Sequence, residues 1–319
     1  MSNSIRNVAI IGAGSNLGQH IVHSLLQTDQ HTITAITRET SQTPLPPGLH
    51  KVIKVNYASH PSLVKSLQDI DALIIILSPY APAGTSSLLI TAALEARVRF
   101  ILPDEWGADS SDAGLNYEIP AFATKGPLTQ RIIDEGYGIT SAIPIATNFW
   151  FEFSVAIPDA CGFDFEKRRV TFFDDGKTTI SASTWVQIGR AVKGLLSLPT
   201  QGQGLSLERF ANKRVFVDSF RISQREIFES VLRVTGTEET EWTIQYERAR
   251  ERYEAGKEAM EKGDQSAFIR MMYARVWFKD GGCDFEGEGK FMINELLGLP
   301  REDLDEATKR AIERARRQR

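Results

Sequence analysis

The chain has 319 residues, 42% hydrophobic and 24% charged, which allows one large domain or two ordinary ones around a sizeable core. A formal net charge of −4 and a pI of about 5.8 disfavour a nucleic-acid partner. Two cysteines, Cys161 and Cys283, exclude a disulfide framework and a Cys-rich zinc site and fit a reducing, cytoplasmic setting; the longest apolar run, Ala72 to Leu77, is too short for a membrane span, and the first apolar segment leads into a glycine turn rather than a signal-peptide cleavage site.

The first half alternates short apolar runs with helical patterns. Val8–Ile11 reads as a buried strand, followed by a helix over about Asn16–Leu26 with Leu17, Ile21, Leu25 and Leu26 on one face. Thr32–Thr37 is a second strand rich in β-branched residues, and Pro44, Pro46, Pro47 and Gly48 then make a loop. A third strand at Val52–Val55, a helix over His60–Gln68, a fully apolar strand at Ala72–Leu77 and a helix over Ser86–Ala96 follow. Phe100–Leu102 is a fifth strand, Pro127–Glu135 a helix and Ile139–Ile145 a sixth strand. This alternation predicts βαβ units and a right-handed parallel sheet. In the second half the pattern predicts a hairpin over Arg169–Ser181 turning at Asp175-Gly176, and a helix from Ser183 or Thr184 to about Leu198. A returning strand is expected at Val215–Val217, and a helix opens with the capping box Ser223-Gln224-Arg225-Glu226. A solvated helix is expected over about Glu238–Lys262, and a charged terminal helix over Arg301–Arg319.

Gly12-Ala13-Gly14-Ser15-Asn16-Leu17-Gly18 follows the first strand and opens the first helix. Small residues there let backbone approach a pyrophosphate, and the helix N-terminus offers it unpaired N–H groups. The spacing is G-x-G-x-x-x-G, and the strand before and helix after give it force. At the end of the second strand, where an acidic residue would select NADH, stand Thr37 and Arg38; a guanidinium there suits a 2′-phosphate, so NADPH/NADP+ is the expected cofactor. Glu39 is its neighbour. Ser78, Pro79 and Tyr80 follow the fourth strand on the same edge and should line the dinucleotide groove, with Tyr80 reading equally well as a lid aromatic.

These segments, together with Arg99-Phe100-Ile101-Leu102-Pro103-Asp104-Glu105-Trp106-Gly107 and Phe122-Ala123-Thr124-Lys125, resemble the NmrA-like and isoflavone-reductase-like group of atypical short-chain dehydrogenase/reductases. Asp104 and Trp106 depart from the group's RF-x-P-S-E-F-G pattern. The resemblance implies an α/β fold, a Rossmann doubly wound parallel sheet with a smaller C-terminal α+β substrate domain; the change of pattern puts the two at 1–155, with a returning strand near 213–219, and 156–319. It implies an NADPH-dependent reductase, with the redox sensor NmrA as the non-catalytic alternative.

The resemblance maps Lys125 onto the lysine that serves these reductases near the nicotinamide, where an ammonium can bond the ribose hydroxyls and stabilise charge as hydride arrives. Asp104 and Glu105, after the fifth strand, are the further catalytic candidates: either could orient Lys125, hold a cationic substrate or act as a base, and either could instead cap a turn or meet Arg97 or Arg99. Asn148 and Phe149, after the sixth strand, are expected at the cofactor, and Trp106 and Trp150 at an aromatic substrate. Position 121 is Ala, so the Tyr-x-x-x-Lys pair is missing before Lys125; the match at Tyr253–Lys257 lies in the charged late helix. Hydride delivery to an activated C=C, C=N or benzylic carbon of a small aromatic or heterocyclic metabolite is therefore expected. Non-redox chemistry in the same cleft, such as Pictet–Spengler-type iminium cyclisation, is an open alternative, and oligomeric state is left open. All five histidines lie in the first 60 residues, so neither a metal site nor a Ser–His–Asp hydrolase is expected.

Overall fold

Six parallel strands make the central sheet of the computed structural model, which describes residues 3–317. They are β1 (Asn7–Ile11), β2 (Thr32–Arg38), β3 (Lys51–Val55), β4 (Ala72–Ile75), β5 (Phe100–Leu102) and β6 (Ser141–Ala142), in the order β3-β2-β1-β4-β5-β6. The order reverses between β1 and β4, which opens a crevice at their carboxyl ends. Val8–Ile11 and Ala72–Ile75 are buried throughout, as strands covered on both faces must be. The connecting helices are α1 (Asn16–Leu26), α2 (His60–Ser66), α3 (Thr85–Glu95), α4 (Ala113–Glu118) and α5 (Gly126–Glu135). α1 packs against the helix Trp185–Leu196, which Thr184 caps by accepting from the Gln187 N–H at 3.0 Å. No helix among the described residues is long and apolar enough to cross a membrane.

The sixth strand, expected over Ile139–Ile145, is two pieces. Pro144 has no N–H for a ladder, so pairing stops at Ala142 and resumes as β7 (Ile145–Ala146). The Pro144 carbonyl accepts from Val215 N at 3.0 Å, and Val215–Phe216 pairs in parallel with β7.

Two expectations for the second half are corrected. Arg169–Ser181 is not a hairpin: Arg169–Phe173 pairs in parallel with Thr243–Glu247, whereas Thr179–Ser183 pairs with Phe220–Ser223 and with Phe149–Trp150. Arg169–Phe173 is flanked on one edge by Thr243–Glu247 and on the other by Phe163–Asp164, so no edge is left for Thr179–Ser183. The stretch 238–262 is not one helix but the strand Thr243–Glu247 and the helix Ala249–Glu261. Thr243-Ile244-Gln245-Tyr246-Glu247 alternates apolar and polar residues at the strand period, and edge pairing overrides the helical bias of its charged surroundings. The terminal helix is Leu304–Arg317, and the last two residues of the expected one lie outside the described residues. The helix Ala267–Val276 had no counterpart in the periodicity.

Asp218, just past Val215–Phe216, accepts from Ser181 Oγ at 2.9 Å in a mostly buried seam. Burial pushes its carboxyl up to about 6, Glu286 and Asp284 add to the rise, and Ser181 and Arg221 oppose it. An acid whose folded pKa exceeds its unfolded value penalises folding once the pH passes through that window. Between pH 4 and 6 the loss reaches on the order of 2–3 kcal/mol. Asp218→Asn should therefore stabilise the protein at pH 7.5 and leave it unchanged at pH 4, read from urea midpoints at both pH values; equal midpoints at pH 7.5 would contradict the burial argument.

Candidate functional site

The crevice at the carboxyl ends of β1, β2 and β4 is a cleft of about 380 Å³ lined by Gly12, Gly14, Ser15, Arg38, Ser78 and Tyr80, among others. Its floor is built by absence of side chain. Gly12 has φ +86°, and a Cβ there would lie 2.1 Å from the Ile76 carbonyl oxygen; a Cβ on Gly18 would lie 2.1 Å from the Gly12 carbonyl oxygen. Only glycine at both positions lets α1 start flush against β1 and β4. Ser15 is the N-cap, its hydroxyl accepting from Gly18 N at 3.0 Å. The first turn of α1 carries no acidic residue, so its free N–H groups and dipole face the cleft unopposed. Asn16, Leu17 and Gly18 belong to this turn, Leu17 and Gly18 buried behind the cleft wall. This cradle, closely packed backbone beside a helix N-terminus with unpaired N–H groups, fits a dinucleotide diphosphate.

Arg38 ends β2 exposed on the same wall and, among the described residues, has no ion-pair partner. Glu39, also exposed, is tied through its backbone to β3 (Glu39 N to Val55 O, 3.1 Å) and does not line the cleft. Tyr57 lies on the wall with its hydroxyl donating to Ile36 O at 3.3 Å; burial holds the phenol up near 12, against the pull of the Arg38 charge. Tyr80 is 95% exposed at the rim, and Pro79 is exposed beside it.

Lys125 stands where a 3-10 turn, Phe122–Thr124, passes into α5. Its Nζ is 3.8 Å from Asp104 Oδ2, and Asp104 Oδ1 accepts from Leu77 N at 3.1 Å. The two side chains, with Ser86 and Thr124, line a cavity of about 80 Å³ at the ends of β4 and β5. Thr85 lines the dinucleotide cleft and Ser86 this cavity, so the first turn of α3 adjoins both. Glu105 is placed differently from its neighbour. Its side chain is 1% exposed, paired with Arg214 and accepting from Ser110 and Thr129. Arg214 Nε also reaches Asp109 at 3.2 Å, and Lys290 Nζ meets Asp109 at 3.0 Å. Burial alone would raise the Asp109 carboxyl; hydrogen bonds from Ser111 and Lys290 and the Arg214 charge outweigh it and hold it below the ordinary range. This buried charge network ties the loop after β5 to the second half of the chain.

Other expected site residues are spent on packing. Trp106 is 5% exposed and its indole N–H donates to Ile75 O at 2.7 Å, bracing β4 from within the core rather than walling a substrate. Asn148 is buried at φ +50°, its amide donating to Ser181 O at 2.7 Å and Cys283 O at 3.0 Å. Phe149 packs against Tyr273 and Trp277. Trp150 is half-buried, edge-on to Trp185 and Phe153. Neither Tyr253 nor Tyr117, eight residues before Lys125, takes the missing acid's place: Tyr117 is 87% exposed, and Tyr253 is buried with its hydroxyl donating to Glu118 O at 2.9 Å. Both cysteines are buried, and burial pushes both thiols up. Sequence reasoning missed Ser41, Thr43, Tyr57 and Thr85 on the cleft wall, and missed Arg214. The loop residues carry no motif, and Arg214 lies 109 positions from the carboxylate it neutralises.

Residues 12–126 match a family described as NAD(P)H-binding. The chain is 27% identical over 302 residues to the oxidoreductase aprR of Aspergillus flavus, covering 94% of this chain and 96% of that protein. It superposes with a TM-score of 0.77 and 16% identity on a solved structure from the pinoresinol-lariciresinol and phenylcoumaran benzylic ether reductases, covering 97% of this chain and 99% of that one. A leucoanthocyanidin reductase–NADPH complex from Vitis vinifera gives a TM-score of 0.73 at 15% identity, over 96% and 99% of the two chains. The glycine cradle, the 3-2-1-4-5-6 strand order and these similarities agree: residues 12–126 are an NAD(P)H-binding segment of Rossmann fold, and over nearly its whole length the chain shares the fold of the reductases it superposes on.

Proposed function

We propose that the protein is an NADPH-dependent reductase of a small aromatic or heterocyclic metabolite. The observation that carries this reading is the pairing of two features at one end of the sheet: a glycine cradle beside Arg38, which has no ion-pair partner among the described residues, and the Lys125–Asp104 cavity at the ends of β4 and β5. When bound, NADPH supplies a hydride equivalent. The chain's own residues would do the rest. Gly12, Gly14 and the first turn of α1 take the diphosphate, and Arg38 takes the 2′-phosphate through charge-assisted bonds. Lys125 bonds the nicotinamide ribose and stabilises charge at the reacting end, with its approach limited by Asp104 on the β4–β5 edge. Glu105 serves as a scaffold through Arg214.

No protonated tyrosine accompanies Lys125, which favours substrates already activated at carbon: an iminium, a quinone methide or an enone. An iminium carbon accepts hydride as its C=N electron pair moves onto nitrogen, so no proton donor is needed at that step. The aprR relative, named an oxidoreductase, supports turnover over a purely sensing role.

Tryptophan-fluorescence titration tests the cofactor half of this reading. NADPH should bind at least about tenfold more tightly than NADH, and Arg38→Ala should erase the difference, since hydrogen bonds to a charged group contribute roughly 1.5–3 kcal/mol. Equal affinity of the unmodified protein for the two nucleotides would overturn it.

A further inference from the structure

The connection between β2 and β3 folds back onto the glycine turn. A Cβ on Gly14 would lie 2.5 Å from the Pro44 carbonyl oxygen and 2.8 Å from Thr43 Cγ2. Glycine at 14 is thus required by this strap, independently of any diphosphate. The strap is held at its start by Ser41 N donating to Arg38 O at 3.0 Å, and turned by Thr43 N donating to Ser41 Oγ at 3.4 Å. Pro44, Pro46 and Pro47 restrict the backbone just beyond, and Leu45 packs on the main core. Docked this way, Ser41 and Thr43 share the cleft wall with Arg38. The Ser41 hydroxyl accepts from Thr43 N and keeps its own proton to donate, and among the described residues Thr43 Oγ1 makes no hydrogen bond.

We infer that Ser41 and Thr43 are specificity-determining residues: their hydroxyls join the Arg38 guanidinium around the phosphate on the adenosine ribose, and the Gly14-docked strap fixes them there. The inference rests on the reading that Arg38 receives a 2′-phosphate. A phosphomonoester near neutrality carries close to two negative charges and three acceptor oxygens, more than one guanidinium in a two-point grip satisfies. Two hydroxyl donors held by a proline-stiffened loop supply the remaining bonds at little entropic cost.

Thr43→Val keeps the branch that packs on Gly14 and deletes the hydroxyl; Thr43→Ser does the reverse. Equilibrium binding of NADPH, NADH and adenosine 2′,5′-bisphosphate, followed by tryptophan fluorescence or calorimetry, separates the roles. Thr43→Val and Ser41→Ala should each weaken NADPH and the bisphosphate about tenfold and leave NADH within about twofold, while Thr43→Ser keeps the NADPH preference. Unchanged NADPH affinity in both hydroxyl deletions, with Arg38→Ala still losing it, overturns this inference and spares the cofactor reading. Equal losses in Thr43→Val and Thr43→Ser would assign the effect to packing and also overturn it. A wild-type protein that does not distinguish the two nucleotides would remove the cofactor reading itself.

Discussion

Arg214→Met should destabilise the protein by about 3–5 kcal/mol, the largest single-residue loss expected outside the hydrophobic core. The guanidinium sits between two carboxylates, Glu105 and Asp109, whose side chains are each 1% exposed. Methionine fills much the same volume but leaves Glu105 charged, buried and without a counterion; Lys290 continues to balance Asp109. Such a carboxylate must either stay ionised inside a low-dielectric site or bind a proton, and both options cost stability. Removing the charge as well, in Glu105→Gln combined with Arg214→Met, should recover most of the loss, because the penalty comes from the unpaired ion rather than from the missing pair. Urea denaturation of the two variants decides the matter. If the double variant is as unstable as the single one, the network is held by packing and the electrostatic account is wrong.

Lys125→Met should lower kcat by about 10²- to 10³-fold, the usual scale for losing a positioned charge or proton-handling group, while NADPH affinity changes by only a few fold. On the proposed function, the cradle and Arg38 hold the diphosphate and the 2′-phosphate away from Lys125, so the two effects should separate. Protein-dependent NADPH oxidation at the nicotinamide band, against a panel of cyclic iminium ions, enones and quinone-methide precursors, supplies the rate; fluorescence titration supplies the affinity. A Lys125→Met protein with undiminished turnover would remove Lys125 from the reaction.

The dinucleotide end of the site was legible in the sequence because its determinants are local. A glycine turn must directly join its strand and helix, and the residue that meets the ribose must end the next strand, so Gly12, Gly14, Gly18 and Arg38 can be found by counting. The structure places Gly12, Gly14 and Arg38 on one cleft wall. The aromatic end was not legible in the same way. Trp106 and Trp150 are the same residue type, yet Trp106 found a backbone acceptor in the core and Trp150, within the strand Phe149–Trp150, remains half-buried edge-on to the distant Trp185. Asp104 and Glu105 are adjacent carboxylates with opposite fates: one approaches Lys125, the other is enclosed by Arg214. No local pattern distinguishes them, because the arginine comes from more than a hundred residues away.

Sequence alone determined the order of strands and helices through Leu102, since apolar periodicity and a phosphate-ready turn are properties of contiguous residues; the helix Ala113–Glu118 beyond it was not read. Tertiary structure alone decided where Arg169–Phe173 and Thr243–Glu247 pair, which of two neighbouring carboxylates meets a lysine, and that Thr43 and Pro44 lie against Gly14. Each of these joins residues far apart in the chain or lodged in an irregular loop, where the partner that offsets a charge or fills a gap is set by the packing of the whole chain and leaves no periodic trace in the residues themselves.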